Sequence, residues 1–474
     1  MFWRQAIVET EQILSVLGEL LAPEQFSVAE DDLVRYGRDW TRQYLPRPSV
    51  VVFPRTVEDV QAIVRAACQY GWPLVPSGGR TGLSGGAAAT CGEMVVSLDR
   101  MNRILEFIPE DRCVRVQAGV VTQQVQEFAE EYGLYYPVDF ASAGSSQIGG
   151  NIGTNAGGIQ VIRYGMTRDW VMGLKVVTGN GDLLDLNGGM MKNATGYDLR
   201  HLFIGSEGTL GIVVEATLAL TRLPKQPRVM VLGVPGFASV MLLLDLFQRQ
   251  LDLSAFEFFS DLALRLVTAH TGLPRPFAEA TPFYVLLEFD ADSPQVEEQA
   301  MQCFHSALEE GWVLDGVLSQ NETQFRNLWR LREDISETIS RFTPYKNDIS
   351  VMIRHVPDFI ADIDAIVARE YPDWLVVWFG HIGDGNLHLN ILKPESLAIE
   401  EFVQRCQVVN QQVFAVVQRY RGSISAEHGV GLLKKPYLGY TRSPEEMVYL
   451  RAIKRAFDPY GIMNPGKILD MEPL

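Results

Sequence analysis

The sequence predicts an α+β protein of two principal domains closed by a C-terminal helical return, and three observations lead to that class. From Ser49 the chain reads strand, helix, strand: SVVVF is a β-rich apolar run, and Thr56 with Asp59 fits a variant of the helix capping box. Val60, Ile63, Val64 and Ala67 then recur at helical spacing before WPLVPSGG supplies a second strand and its turn. Glycine is concentrated between positions 78 and 211, whereas from about Pro224 to Trp378 amphipathic helices alternate with short strands such as Phe283 to Phe289. The shift in composition divides the chain into an N-terminal extension at residues 1–48, a first domain at 49–224, a second at 225–424 and a C-terminal segment at 425–474.

At 474 residues the chain exceeds one ordinary core, so two or three domains around a large ligand are expected. With 47% hydrophobic and 21% charged residues it has a globular composition. A formal charge of −17 repels phosphate backbones and anionic lipid, which argues against nucleic-acid binding and means that any site for an anion must gather its cations locally. Cys68, Cys91, Cys113, Cys303 and Cys406 are scattered without CxxC spacing, which is expected of free thiols in a reducing compartment rather than of a disulfide framework or an iron-sulfur site. No stretch approaches about 18 uninterrupted apolar residues, and acids interrupt the start MFWRQAIVETEQIL, so neither a membrane span nor a signal peptide is expected. A cytoplasmic protein, peripheral at most to a membrane acceptor, is the resulting expectation.

Three glycine-rich segments carry the chemistry of the first half. PSGGRTGLSGGAAA, residues 76–89, follows a strand directly, where glycines let successive backbone N–H groups turn toward a pyrophosphate. SAGSSQIGGNIGTNAGG, residues 142–158, crowds six glycines with Ser, Thr and Asn into seventeen residues, a pattern suited to the ribityl chain, phosphates and polar edge of an isoalloxazine. IGSEGTLGIVVEATL, from Ile204 to Leu218, runs from tight turns into a buried strand that could close over an adenine. A GxGxxG after the first strand with an acid about 20 residues later is missing, so flavin is favoured over nicotinamide.

PSGGRTG, IGGNIGTNAGG, KNATGYDLRHLFIGSEGTLGIV and the closing NPGKIL resemble the vanillyl-alcohol-oxidase type of FAD-binding domain. The resemblance implies that fold for the first domain, with an α+β substrate (cap) domain after it. It also implies that Ser77, Gly78, Gly79, Arg80, Thr81 and Gly82 wrap the pyrophosphate and that Gly144, Ser145, Gly149, Asn151 and Thr154 line the flavin. Glu207, Gly208 and Ile212 would approach the adenine end, and Asn464 of the closing motif joins the cofactor set. No histidine precedes His201, which excludes a histidyl tether from the first two loops and favours non-covalent FAD; Cys91 and Cys113 leave a cysteinyl alternative.

Of only seven histidines, three fall in FGHIGDGNLHLNI (Phe379 to Ile391) and SISAEHGVGLLKK (Ser423 to Lys435). His381 and His388, near strand ends around a glycine-rich turn, can converge on one ion to which Glu427 adds an oxygen. Two imidazoles and a carboxylate leave positions open for substrate oxygens; zinc is the first choice, and Mn²⁺, Co²⁺ or Fe²⁺ suit the same set. His428 beside them is the candidate general base. With the FAD domain, these motifs resemble the D-lactate and D-2-hydroxyglutarate dehydrogenase branch over essentially the whole chain. In that resemblance His381, His388 and Glu427 are the metal ligands, Asn386 touches substrate and His428 is the base.

In LWRLREDISETISRFTPYKNDIS, residues 328–350, Arg332 and Ser336 lie on one helical face with Lys346 after a Pro-containing turn, so the three can converge on the distal carboxylate of a five-carbon diacid. Resemblance assigns them that role, with Ser336 standing where relatives often have Thr. The expectation is oxidation of D-2-hydroxyglutarate to 2-oxoglutarate, with D-malate as a second substrate. D-lactate or glycolate dehydrogenation is the alternative, and an electron-transfer subunit or a metallohydrolase are readings from other classes. An electron-transfer flavoprotein or a quinone is the expected acceptor, and a homodimer the expected assembly.

Overall fold

The computed structural model describes residues 10–471, so the first nine residues of the stretch read as lacking a signal peptide lie outside the described residues. The chain forms two compact units: one of Met1–Gly157, Met166–Leu223 and Glu427–Leu474, the other of Gly158–Gly165 and Pro224–Ala426.

In the first unit a small sheet runs in the order Phe26–Ser27, Val50–Val52, Met94–Ser97, Leu74–Ser77, the last three strands parallel and the first antiparallel. Val50, Val51 and Val52 are wholly buried, as a strand covered on both faces requires of an uninterrupted apolar run. Helix Val57–Tyr70 has the expected capping box, Thr56 Oγ1 accepting from the Asp59 N–H at 3.1 Å and Asp59 Oδ2 from the Thr56 N–H at 3.3 Å. It stops at Gly71, whose φ of +72° is the left-handed value that releases a helix end. Its buried stripe joins Ile13 and Leu17 of helix Thr10–Leu20 in one core, so that helix is part of this unit. A second, antiparallel sheet runs Ile104–Ile108, Cys113–Gln117, Gly211–Ala219, Val171–Thr178, Leu183–Leu186. The C-terminal helix Pro444–Phe457 docks through Phe457, whose ring lies 4.9 Å from that of Phe203. Its buried Lys454 ammonium is paired with Asp458 and donates to the carbonyls of Thr209 and Met463 at 2.5 and 2.7 Å, the compensation a buried charge needs.

The second unit is built on a seven-stranded antiparallel sheet in the order Asp315–Leu318, Pro227–Val234, Phe283–Asp290, Leu253–Ser260, Val376–Gly380, Asn386–Ile391, Tyr345–Ser350. Helices Asp261–Thr271, Glu322–Glu333 and Ile335–Ser340 contribute Leu264, Trp329 and Ile339 to a core with Ala255, Phe259 and Phe379 of the sheet. The short Gly158–Gly165 excursion joins this unit through Gln160, whose amide donates to buried Glu288 at 3.0 Å, and Arg163, which donates to the Asp252 carbonyl at 2.9 Å. All five cysteines are free thiols, as expected. Among the described residues no helix is long and apolar enough to cross a membrane.

Candidate active site

In the first unit the glycine-rich segments come together as a cradle. The loop after strand Leu74–Ser77 lies on the loop 142–147 so closely that a Cβ on Gly79 would stand 2.1 Å from the Ser145 carbonyl oxygen. A Cβ on Gly78 would stand 3.5 Å from Gly150 Cα, and one on Gly149 would stand 2.8 Å from that of Ala118. Arg80, at φ +62°, turns its guanidinium back on the Gly78 carbonyl at 2.7 Å and stacks over Tyr36. The Gly82 carbonyl accepts from the Trp40 N–H at 3.0 Å, and buried Asp39 accepts from the Gly85 N–H at 2.7 Å, tying the loop down from residues ahead of the first strand-helix-strand.

The other expected cofactor residues are distributed as follows. Asn151 is buried and donates to Thr122 Oγ1 at 2.6 Å, Thr154 Oγ1 donates to the Gly150 carbonyl at 3.2 Å, and Ile212 belongs to the core. Gly208 has φ +70° and packs on Pro76. Glu207 accepts from the N–H groups of Val430 and Gly431 at 2.6 and 2.8 Å, and burial pushes its carboxyl up to about 7. Asn464 donates to the carbonyls of Gly86 and Glu207 at 2.8 and 2.7 Å, so it locks two glycine segments to each other. Ser77 Oγ and Gln147 Oε1 are buried without a hydrogen-bond partner from the protein. Buried polar atoms left over in a cradle that only glycine permits fit a ligand rich in oxygens, and therefore fit the FAD expected here.

In the second unit the strand period gathers the polar residues. Side chains alternate between faces and directly paired residues share one, so the pairs Lys346–Asn390, Asp348–His388 and Ser350–Asn386 all lie on the same face of the sheet. Phe379 pairs with both His388 and Phe259, which brings Glu257, two residues before Phe259, to that face as well. The turn from His381 to Gly385 is tight: Gly385 has φ +82°, and a Cβ there would stand 2.2 Å from the Val351 carbonyl oxygen. His381 and His388 bring their ring centroids to 5.4 Å at 83°. His381 Nδ1 is 2.8 Å from Glu257 Oε1, and His388 Nδ1 is 3.9 Å from Asp348 Oδ1. Asn386 Nδ2 donates to Asp348 Oδ1 at 3.0 Å. Lys346 Nζ donates to Ser336 Oγ at 3.1 Å, joining two of the three residues read as the anion site, and burial pushes its ammonium below the ordinary lysine value. Arg332, 5% exposed, stacks on Phe379 and stands 2.7 Å from Glu257 Oε2, while its Nε has no hydrogen-bond partner.

The Ala426 N–H donates to the Asp348 carbonyl at 3.4 Å, and Glu427 is the next residue along the chain. His428 Nε2 lies 3.7 Å from Glu427 Oε1. Two acids escaped the sequence reading. Asp348 stands in a strand whose burial its own segment does not announce. Glu257 had a signal: a single acid inside the apolar run LSAFEFF must find a partner when the strand is buried.

Comparison with known proteins agrees with this anatomy. Residues 48–187 match the FAD binding domain family, and residues 223–468 match the C-terminal domain of FAD linked oxidases. The chain is 61% identical over 456 residues to D-2-hydroxyglutarate dehydrogenase of Stutzerimonas stutzeri (strain A1501), covering 96% of this chain and 98% of that one. It is 55% identical over 439 residues to the enzyme of the same name from Xanthomonas citri pv. viticola, covering 93% of each. Among solved structures, p-cresol methylhydroxylase with substrate bound superposes with a TM-score of 0.75 at 17% identity over 97% of both chains, a likeness of fold. The protein therefore belongs to the FAD-linked oxidases, flavin-dependent oxidoreductases with the vanillyl-alcohol-oxidase type of fold.

Proposed function

We propose that the protein oxidises D-2-hydroxyglutarate to 2-oxoglutarate, with non-covalent FAD as oxidant and a divalent cation, zinc by first choice, at His381, His388 and Glu427. The observation that carries the reading is the polar face in the second unit, where His388 shares a sheet face with the half-buried Lys346 ammonium and meets the imidazole of His381, from the adjoining turn, at a centroid distance of 5.4 Å. That ammonium is bonded to Ser336, and burial is the cause that lowers its pKa, so an anion is the partner it lacks. The relatives named D-2-hydroxyglutarate dehydrogenase support the choice of acid.

FAD, when bound, supplies the hydride acceptor at N5, and a cation at the histidine pair supplies a Lewis acid for the hydroxyl and neighbouring carboxylate. Ser77 to Gly82 would hold the FAD pyrophosphate, Gly144, Ser145, Gly149, Asn151 and Thr154 would line the flavin, and Glu207, Gly208, Ile212 and Asn464 would lie toward the adenine end. Lys346, Ser336 and Arg332 hold the distal carboxylate, and Asn386 orients the substrate at the hydroxy-acid end. His428 takes the proton of the C2 hydroxyl while the C2 hydrogen leaves with its electron pair. The electron acceptor that reoxidises the enzyme is an electron-transfer flavoprotein or a quinone.

Anaerobic mixing with D- and L-hydroxy acids tests the proposal. Flavin bands bleached by D-2-hydroxyglutarate faster than by D-malate, D-lactate or glycolate support it; fastest bleaching by D-lactate or glycolate would move the assignment to the alternative. His428→Ala should stay yellow yet reduce its flavin about 10²-fold or more slowly. Unchanged single-turnover reduction in that variant would remove His428 as the base.

A further inference from the structure

We propose that Glu257 is a positioning residue that fixes the tautomer of His381, with Arg332 as its counter-charge, and so couples the group that holds the substrate's far end to the group that holds the cation. The inference rests on the reading of His381 as a metal ligand. A ligating histidine needs one nitrogen as acceptor toward the ion and the other as donor, and a carboxylate at the second nitrogen sets that order and fixes the ring plane. Glu257 Oε1 is 2.8 Å from His381 Nδ1, so the proton belongs on Nδ1 and Nε2 becomes the ligating atom. The other oxygen, Oε2, is 2.7 Å from Arg332 Nη2. The side chain of Glu257 is 1% exposed and those of Arg332 and His381 are 6% and 9% exposed, so solvent does not screen the array. The Arg332 contact is an ion pair by distance without the alignment of a hydrogen bond, and Phe379 holds the guanidinium plane from beneath at 4.7 Å.

The strand itself argues for a purpose. A carboxylate in LSAFEFFS costs burial free energy that an apolar residue would avoid, and replacing buried ion pairs by apolar groups is often neutral or stabilising. Glu288, the acid at the equivalent kind of position in strand Phe283–Asp290, accepts hydrogen bonds from the neutral groups of Trp329, Ser254 and Gln160. Glu257 instead joins a cation to an imidazole. The pairing also leaves Arg332 incompletely satisfied: one edge of its fork faces Glu257, while its buried Nε has no hydrogen-bond partner from the protein.

The test uses the holoenzyme, with Glu257→Gln and Glu257→Asp, in two measurements. Zinc affinity by chelator competition should fall about 10–100-fold in Glu257→Gln, the usual cost of losing a carboxylate behind a ligating histidine, and recover in part in Glu257→Asp. In the flavin-loaded, metal-stripped protein, ¹⁵N spectra of labelled histidine should show His381 protonated on Nδ1 in the parent and shifted toward the Nε2–H form in Glu257→Gln. Unchanged zinc affinity with an unchanged tautomer overturns the proposal, as does a parent spectrum with His381 protonated on Nε2. If the parent takes up no zinc, the metal reading falls by itself and the nitrogen spectra still decide the role of Glu257.

Discussion

In the proposed function, Lys346 is the residue on which substrate choice turns. Its ammonium is half-buried, hydrogen-bonded to a neutral hydroxyl and lowered in pKa by desolvation, so in the proposed function a second carboxylate on the substrate would gain a partner that a monocarboxylate leaves unmatched. Lys346→Met is therefore expected to raise the KM for D-2-hydroxyglutarate about tenfold or more, from the roughly 1.5–3 kcal/mol of a hydrogen bond to a charged group, with a smaller change for D-lactate. Equal changes on both acids would take Lys346 out of the specificity site. The lowered pKa adds a pH signature. Because the charged form is lost below the pH at which an ordinary lysine titrates, the KM for the diacid should begin to rise earlier in an alkaline series, and Lys346→Arg, which stays charged, should flatten that rise.

At the scale of elements, the cofactor cradle depends on two loops approaching more closely than any side chain permits. Gly79→Ala places a methyl group 2.1 Å from the Ser145 carbonyl oxygen, and because that obstacle is backbone the loops themselves must part. Overpacking of this kind costs typically about 1–3 kcal/mol, and here the same displacement should open the loop proposed to hold the pyrophosphate. The expected result is protein that purifies with substoichiometric flavin and a lowered Tm; full FAD content and a parental Tm would show that the loops can part without loss. The strand face of the second unit works by the opposite device. Its period of two brings Lys346, Asp348, Asn386 and His388 to one side through register alone, so a one-residue slip of either strand would send its two residues to the other face.

The whole molecule brings distant stretches of chain together at Glu207, whose carboxylate receives Val430 and Gly431 while its backbone carbonyl receives Asn464. Burial raises this carboxyl from 4.5 to about 7, so the folded state holds a proton that the unfolded state has released. The sign follows from linkage: its contribution to stability is complete below pH 4.5 and is lost as the pH rises through about 7. Glu207→Gln, which cannot ionise, should show less loss of unfolding free energy between pH 4.5 and 7 than the parent in urea titrations. Parallel curves would mean that the pH dependence arises elsewhere.

Local chemistry in the sequence was enough to read the glycine loops, the Thr56 capping box, the paired histidine motifs and the FAD-linked class, because each rests on neighbours in the chain or on spacings short enough to survive without a fold. Asn464 was legible as part of a motif, but its task of bonding Gly86 and Glu207 was not, since those partners lie 378 and 257 residues away. Glu257 and Asp348 became visible only with the order of the seven-stranded sheet, which sets Leu253–Ser260 beside Val376–Gly380 and Tyr345–Ser350 beside Asn386–Ile391. Residue type and spacing are properties of the chain and can be read along it. Which buried carboxylate answers which imidazole is decided by strand order and register, because only the folded sheet removes the water that would otherwise serve both.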